Sequence, residues 1–217
     1  MSNLRRFAAL RMPIFSAALD LLGSDCVLCL DRAVDGLVCA PCAASLPRAT
    51  PFDGGVACYA YRFPVDRLVQ RFKFAGDLAV GKWLSRQLAA RVRGEPRPLV
   101  IVPMPLTSRR LRERGFNQAA EIAGVVARSL RVPCSLRALE RTRDAPPQSR
   151  LGRRARRANL RGAFRCRMRL SGHRVALVDD VITTGATAHA AAQALRRAGA
   201  SRVDIWVVAR TPAPGEA

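Results

Sequence analysis

The chain has almost no lysine. Lys73 and Lys82 are the only two, so its 37 basic residues, set against 16 acidic ones, are nearly all arginine, and the formal net charge of +21 is an arginine charge. Arginine carries a planar fork of donors matched to phosphate oxygens, so nucleic acid or a phosphorylated metabolite fits this bias better than a generic acidic protein. An arginine-rich background composition would produce the same total, and only the clustering of the charge separates the two explanations. No segment reaches the ~18 uninterrupted apolar residues of a membrane span. Histidine is limited to His173 and His189, which have no obvious partners and are read as solvent-facing or packing residues. There is no dedicated cluster of carboxylates of the kind that cages a divalent ion.

What is present describes a globular chain. With 217 residues, 49% hydrophobic and 24% charged, it can bury one ordinary core and carry a small appendage without disulfides. Leu4 to Leu22 reads as an amphipathic helix: Arg5 and Arg6 precede an apolar stretch that Arg11, Pro13 and Asp20 interrupt. No small-residue cleavage site precedes the cysteines, so a cytoplasmic location is expected, with a targeting or membrane-surface segment as the alternative. The expected division is 1–22 for this helix, 23–55 for a cysteine-bearing segment and linker, 56–210 for an α/β domain, and 211–217 for a tail.

Inside 56–210, short apolar runs alternate with helical spacing. Val56 to Tyr61, Leu99 to Val102, Val175 to Val178 and Val203 to Val208 read as buried strands. Val65, Leu68, Val69 and Phe72 repeat at helical intervals, as do Phe116, Ala119, Ile122, Ala123, Val126 and Leu130. This pattern predicts a mostly parallel sheet covered on both faces, with ligands bound outside the carboxyl ends of the strands.

Four of the seven cysteines stand as Cys26-x2-Cys29 and Cys39-x2-Cys42, with nine residues between the pairs. Two such knuckles can place four thiolates around a tetrahedral Zn2+, and a segment with so little core needs such a staple. A redox pair or a disulfide set is the alternative. No further cysteine pair follows before Cys58, so one zinc ribbon is expected; Cys58, Cys134 and Cys166 are read as small packing residues.

The most informative segment is Val178-Asp179-Asp180-Val181-Ile182-Thr183-Thr184-Gly185-Ala186-Thr187. Two carboxylates end a buried strand, and a Thr- and Gly-rich loop opens a helix over about 179–187. A helix start offers unpaired amides and the positive end of its dipole, and Gly185 lets the backbone approach an anion, so the loop reads as a phosphate cradle. Carboxylate acceptors beside it suit the vicinal hydroxyls of a ribose. An ordinary capped strand-to-helix turn is the plainer alternative.

That string resembles the binding motif for PRPP (5-phosphoribosyl-1-pyrophosphate) of type I phosphoribosyltransferases. In that motif two acidic residues hold the ribose hydroxyls and a Thr-Thr-Gly-x-Thr loop holds the 5-phosphate. The chain as a whole is more closely similar to the ComF family, associated with competence and DNA uptake. The resemblance rests on Leu68 to Asp77, on Val102-Pro103-Met104-Pro105 with Arg109 to Ala119, and on Pro147-Gln148-Ser149-Arg150-Leu151. It implies a Rossmann-like phosphoribosyltransferase domain behind a zinc ribbon. It assigns Asp179 and Asp180 to the ribose in a catalytic position, and Thr183, Thr184, Gly185, Ala186 and Thr187 to the phosphate. It gives the pyrophosphate to a loop around Met104, Pro105, Arg109 and Arg110, and the covering loop to Gln148, Arg150 and Arg153. Mg2+ would arrive with the donor, held by the donor's own oxygens. The family's second zinc ribbon is missing.

The remaining arginines cluster at 109–114 and at 150–169, where nine arginines stand without an acidic residue. Interleaved with Phe116 and Phe164, they suggest single-stranded DNA along Arg112, Arg114, Arg154, Arg156, Arg157 and Arg161. A solvated basic face, or a loop that serves only pyrophosphate, is the alternative. The expected function is therefore a PRPP-binding protein of DNA uptake, partnered by uptake machinery such as a helicase. The alternative is an active phosphoribosyltransferase of nucleotide or cofactor metabolism; no general base or base-selecting segment stands out on the acceptor side.

Overall fold

The computed structural model describes residues 24–33, 37–142, 162–213 and 215. The expected helix over 1–22, the covering-loop residues Gln148, Arg150 and Arg153, and the nucleic-acid residues Arg154, Arg156, Arg157 and Arg161 lie outside them.

The described chain begins with a small ribbon, β1 (Ser24–Asp25) paired antiparallel with β2 (Arg32–Ala33), followed by the short helix α1 (Ala40–Ser45). Four strands then build the main sheet: β3 (Gly55–Ala60), β4 (Val100–Pro103), β7 (Arg174–Ile182) and β8 (Arg202–Arg210). Their order is β3-β8-β7-β4, and every pairing is parallel. A hairpin of β5 (Leu139–Arg141) and β6 (Phe164–Cys166) stands apart from it.

The two faces of the sheet are filled by alternate residues of the same strands. Ile101, Ala176, Val178, Trp206 and Val208 enter one apolar cluster, with α2 (Val65–Phe74), α3 (Leu78–Arg91) and α5 (Gln118–Leu130). Val100, Val102, Val175, Leu177 and Val203 enter the other, with α6 (Ala186–Arg197) and the hairpin. This is the period-two alternation of a strand covered on both sides. Leu177 and Ile101 are fully buried, and truncating either to Ala would cost roughly 2–5 kcal/mol.

The cysteine-bearing segment is built into this core. Cys26, Cys39 and Leu46 share one cluster with Tyr59 and Trp206. Residues 47–49 also run along the outer edge of β3: the Ala60 amide donates to the Pro47 carbonyl (2.8 Å) and the Ala49 amide to the Cys58 carbonyl (3.3 Å). An otherwise open sheet edge is thus covered.

Two local departures from the sequence pattern shape the site. The segment after β4, expected as an irregular loop, contains α4 (Ser108–Arg114); the Thr107 side chain accepts from the Arg110 amide at its start, and Gly115 closes it in the left-handed region at φ 76°. Strand β7 also runs on to Ile182, because Asp179, Val181 and Ile182 keep pairing with Val207, Ala209 and Arg210 of β8. On the other side β4 stops at Pro103 opposite Val178. Asp179 and Asp180 therefore sit where the sheet has lost one neighbour, and the loop proper shrinks to Thr183–Gly185.

Candidate functional site

A cavity of about 220 Å3 opens beyond the end of β4. Asp179 to Thr187 form one side of it, Met104, Pro105 and Arg110 another, and Asn117, Gln118 and Arg141 complete it with Lys73. The motif and the segment after β4 come together as parallel strands require, since both leave the sheet at its carboxyl edge.

The floor is made by the two carboxylates. The Asp180 amide donates to Oδ1 of Asp179 (2.9 Å), and the Val181 amide donates to Oδ1 of Asp180 (2.6 Å). Lys73 Nζ lies 2.9 Å from Oδ2 of Asp180, with both side chains largely shielded. Burial, reinforced by the neighbouring Asp180 charge, pushes the Asp179 carboxyl up to about 8 from its ordinary value, against the Asp180 amide and Lys73, which pull the other way.

The cradle is the start of α6. Its capping residue is Gly185, at φ 73°, and no side chain caps the helix, whereas Asp77, Thr107 and Asn117 each cap the helix they precede. The first-turn amides of α6 thus have no side-chain acceptor and border the cavity. Glycine is required here by backbone conformation: a Cβ at Gly185 would meet only Ile182, at an ordinary 3.6 Å.

The opposite wall comes from Asn117 and Gln118, where α5 begins. Asn117 accepts from the Ala119 and Ala120 amides (3.0 and 3.4 Å) and donates to the Met104 carbonyl (3.1 Å), locking α5 to the segment after β4. Gln118 is buried; its Oε1 accepts from Arg114 (3.0 Å), and its Nε2 has no partner. Of the arginines given to pyrophosphate, Arg110 lines the cavity, while Arg109 stands 3.8 Å from Glu113 along α4. Arg114, given to nucleic acid, lines the cavity and lies over the Phe74 ring at 5.4 Å; Arg112 is exposed. The sequence by itself gives no site role to Lys73, Asn117 or Gln118. For Lys73 a signal exists: a lysine where the chain otherwise uses arginine.

Away from the cavity, the sulfurs of Cys26, Cys29, Cys39 and Cys42 all lie within 4.8 Å of one another. All four cysteines are free, and Cys29 Sγ and Cys39 Sγ are 3.6 Å apart, too far for a disulfide and close to the edge of a tetrahedron with metal–sulfur bonds of ~2.3 Å. Although burial opposes ionisation of Cys26, amides of Cys39, Leu28 and Cys29 converge on its sulfur, and its pKa falls to about 6. The cluster can hold a metal ion.

Comparison with known proteins bears on the domain that carries the cavity. A phosphoribosyl transferase domain model matches residues 117–217. The DNA utilization protein YhgH of Escherichia coli K12 is 36% identical over 177 residues, covering 79% of this chain and 78% of that protein. Competence protein F of Haemophilus influenzae is 34% identical over 178 residues, covering 78% of each. The chain belongs to the ComF family. Among solved structures, a purine phosphoribosyltransferase from Pyrococcus horikoshii aligns over 61% of this ComF chain and 74% of its own length, at 21% identity and a TM-score of 0.41. No helix among the described residues is long and apolar enough to cross a membrane.

Proposed function

We propose that this ComF-family protein binds PRPP, or a closely related sugar phosphate, in the cavity beyond β4, and that it serves DNA uptake in the cytoplasm. One observation carries the reading: a helix start with no side-chain cap and the two adjacent carboxylates of β7 face the same space. The α6 amides and the hydroxyls of Thr183, Thr184 and Thr187 take the 5-phosphate. Asp179 and Asp180 accept the ribose hydroxyls, and Arg110 and Arg114 meet the pyrophosphate.

Mg2+ fits this donor set as an ion brought in with the ligand. Both oxygens of Asp180 already have partners, so among the described residues that line the cavity no free carboxylate pair is left to cage it. When bound, the ion would neutralise the pyrophosphate charge. The four-cysteine cluster fits structural zinc. Single-stranded DNA would follow the exposed arginines of α4, with uptake machinery such as a helicase as the partner; a role with DNA is supported by the name of one relative, DNA utilization protein YhgH.

Turnover is a second reading, favoured by Asp179, a cavity-lining carboxyl that burial pushes up to about 8, within the range suited to proton exchange. Calorimetric titration with PRPP and Mg2+, paired with a pyrophosphate-release assay across a panel of acceptors, tests both. Binding that disappears in Asp179→Ala/Asp180→Ala is the expected result, and unchanged affinity in that variant would sink the cavity assignment. Pyrophosphate release would establish the enzyme.

A further inference from the structure

Lys73 reaches the cavity from the last turn of α2, outside both the Asp-Asp and Thr-rich string and the matched region 117–217. Its backbone is anchored by its neighbour: Phe72 is fully buried and packs on Phe116, ring centroids 5.5 Å apart. The strand alternation explains which carboxylate it reaches. Val175 and Leu177 face α6, Ala176 and Val178 face α2, α3 and α5, and Asp180 continues the second series. Lys73 accordingly meets Asp180 at 2.9 Å.

We propose that Lys73 is the positioning residue of the ribose subsite, resting on the PRPP reading above. Two donors from opposite sides clamp the Asp180 carboxylate: the Val181 amide on Oδ1 and the Lys73 ammonium on Oδ2. A carboxylate accepts about four hydrogen bonds, so its remaining lone pairs stay directed at a diol while rotation is blocked. The ammonium also pairs with a largely shielded carboxylate, which would otherwise be left as a buried charge without a partner. Lysine suits this better than arginine, because a compact point charge engages one oxygen without occupying both. Substrate orientation thereby depends on α2, an element outside the matched phosphoribosyl transferase region.

PRPP affinity in the presence of Mg2+, measured from pH 5.5 to 9 for the wild-type chain, Lys73→Met, Lys73→Gln and Lys73→Arg, is the test. Both neutral variants should weaken binding about tenfold or more, and should move the midpoint of the pH profile upward, because the Lys73 cation lowers the pKa of the Asp179 carboxyl. Lys73→Arg should restore the midpoint while recovering affinity only in part. Lys73→Gln keeps a polar donor on a slightly shorter side chain, so a folded protein is available even where Lys73→Met fails to fold. Wild-type affinity and pH profile in a folded neutral variant overturn the proposal. Absence of PRPP binding by the wild-type chain instead overturns the reading on which it rests.

Discussion

Arg114 donates to Oε1 of Gln118 at 3.0 Å, and that hydrogen bond decides which way the Gln118 amide faces. A guanidinium can only donate, so the oxygen must lie toward Arg114, and Nε2 is left as a donor without an acceptor. A buried donor in that state costs about 1–3 kcal/mol, which a ligand acceptor in the cavity would recover.

Gln118→Leu should therefore change the melting temperature of the ligand-free protein by only a few degrees in either direction, since it removes both the Arg114 hydrogen bond and the unmet donor. PRPP binding should fall about tenfold, equivalent to ~1.4 kcal/mol. Calorimetry beside thermal denaturation separates the two effects. Full affinity in the variant would mean that Nε2 meets no ligand atom.

Asp179 makes stability depend on pH. Its carboxyl holds a proton up to about 8 in the folded chain but only up to its ordinary value of 3.8 when exposed. Between those values the folded state binds more protons, so its contribution is complete below about 4 and is lost as pH rises through about 8. Asp179→Asn should flatten this slope, and the melting temperature of the variant relative to wild type should rise steadily from pH 5 to pH 8. A constant difference across that range would refute the assignment.

Metal removal should destabilise the whole domain rather than one corner of it. Cys26 and Cys39 share a core with Tyr59 and Trp206, and the following residues 47–49 cover the edge of β3. Mass spectrometry under native conditions should find about one zinc per chain. Chelation should lower a single melting transition by at least about 5 °C; an unchanged transition would show that the ribbon adds nothing to the sheet.

Arg112 separates DNA from PRPP. It is exposed on α4 and is not among the residues lining the cavity, whereas Arg110 and Arg114 are. Arg112→Ala should reduce the salt dependence of single-stranded oligonucleotide binding, by about 0.7 in log–log slope for each phosphate that the side chain neutralises, with PRPP affinity unchanged. An oligonucleotide affinity insensitive to both salt and this substitution removes α4 from the DNA path.

Much of the molecule is legible along the chain. The apolar runs at 100–103 and 175–178, the paired Cys-x2-Cys knuckles, and the Asp-Asp and Thr-Thr-Gly-Ala-Thr string identify a parallel sheet, a four-cysteine cluster able to hold a metal ion and a cavity edge, because each signal is local: a run, a spacing, a turn. Three features were not legible. Strand β7 continues through two aspartates because β8 keeps pairing after β4 has stopped. The segment at 47–49 becomes a cover for the sheet only because β3 lies at its edge. Lys73 meets Asp180 rather than Asp179 because the pleat sends alternate residues to opposite faces. Register and alternation between distant elements decide such pairings. The sequence alone therefore determined which chemistry the chain carries, and the packing of α2 and α5 against one face of the sheet decided which residues share the cavity with it.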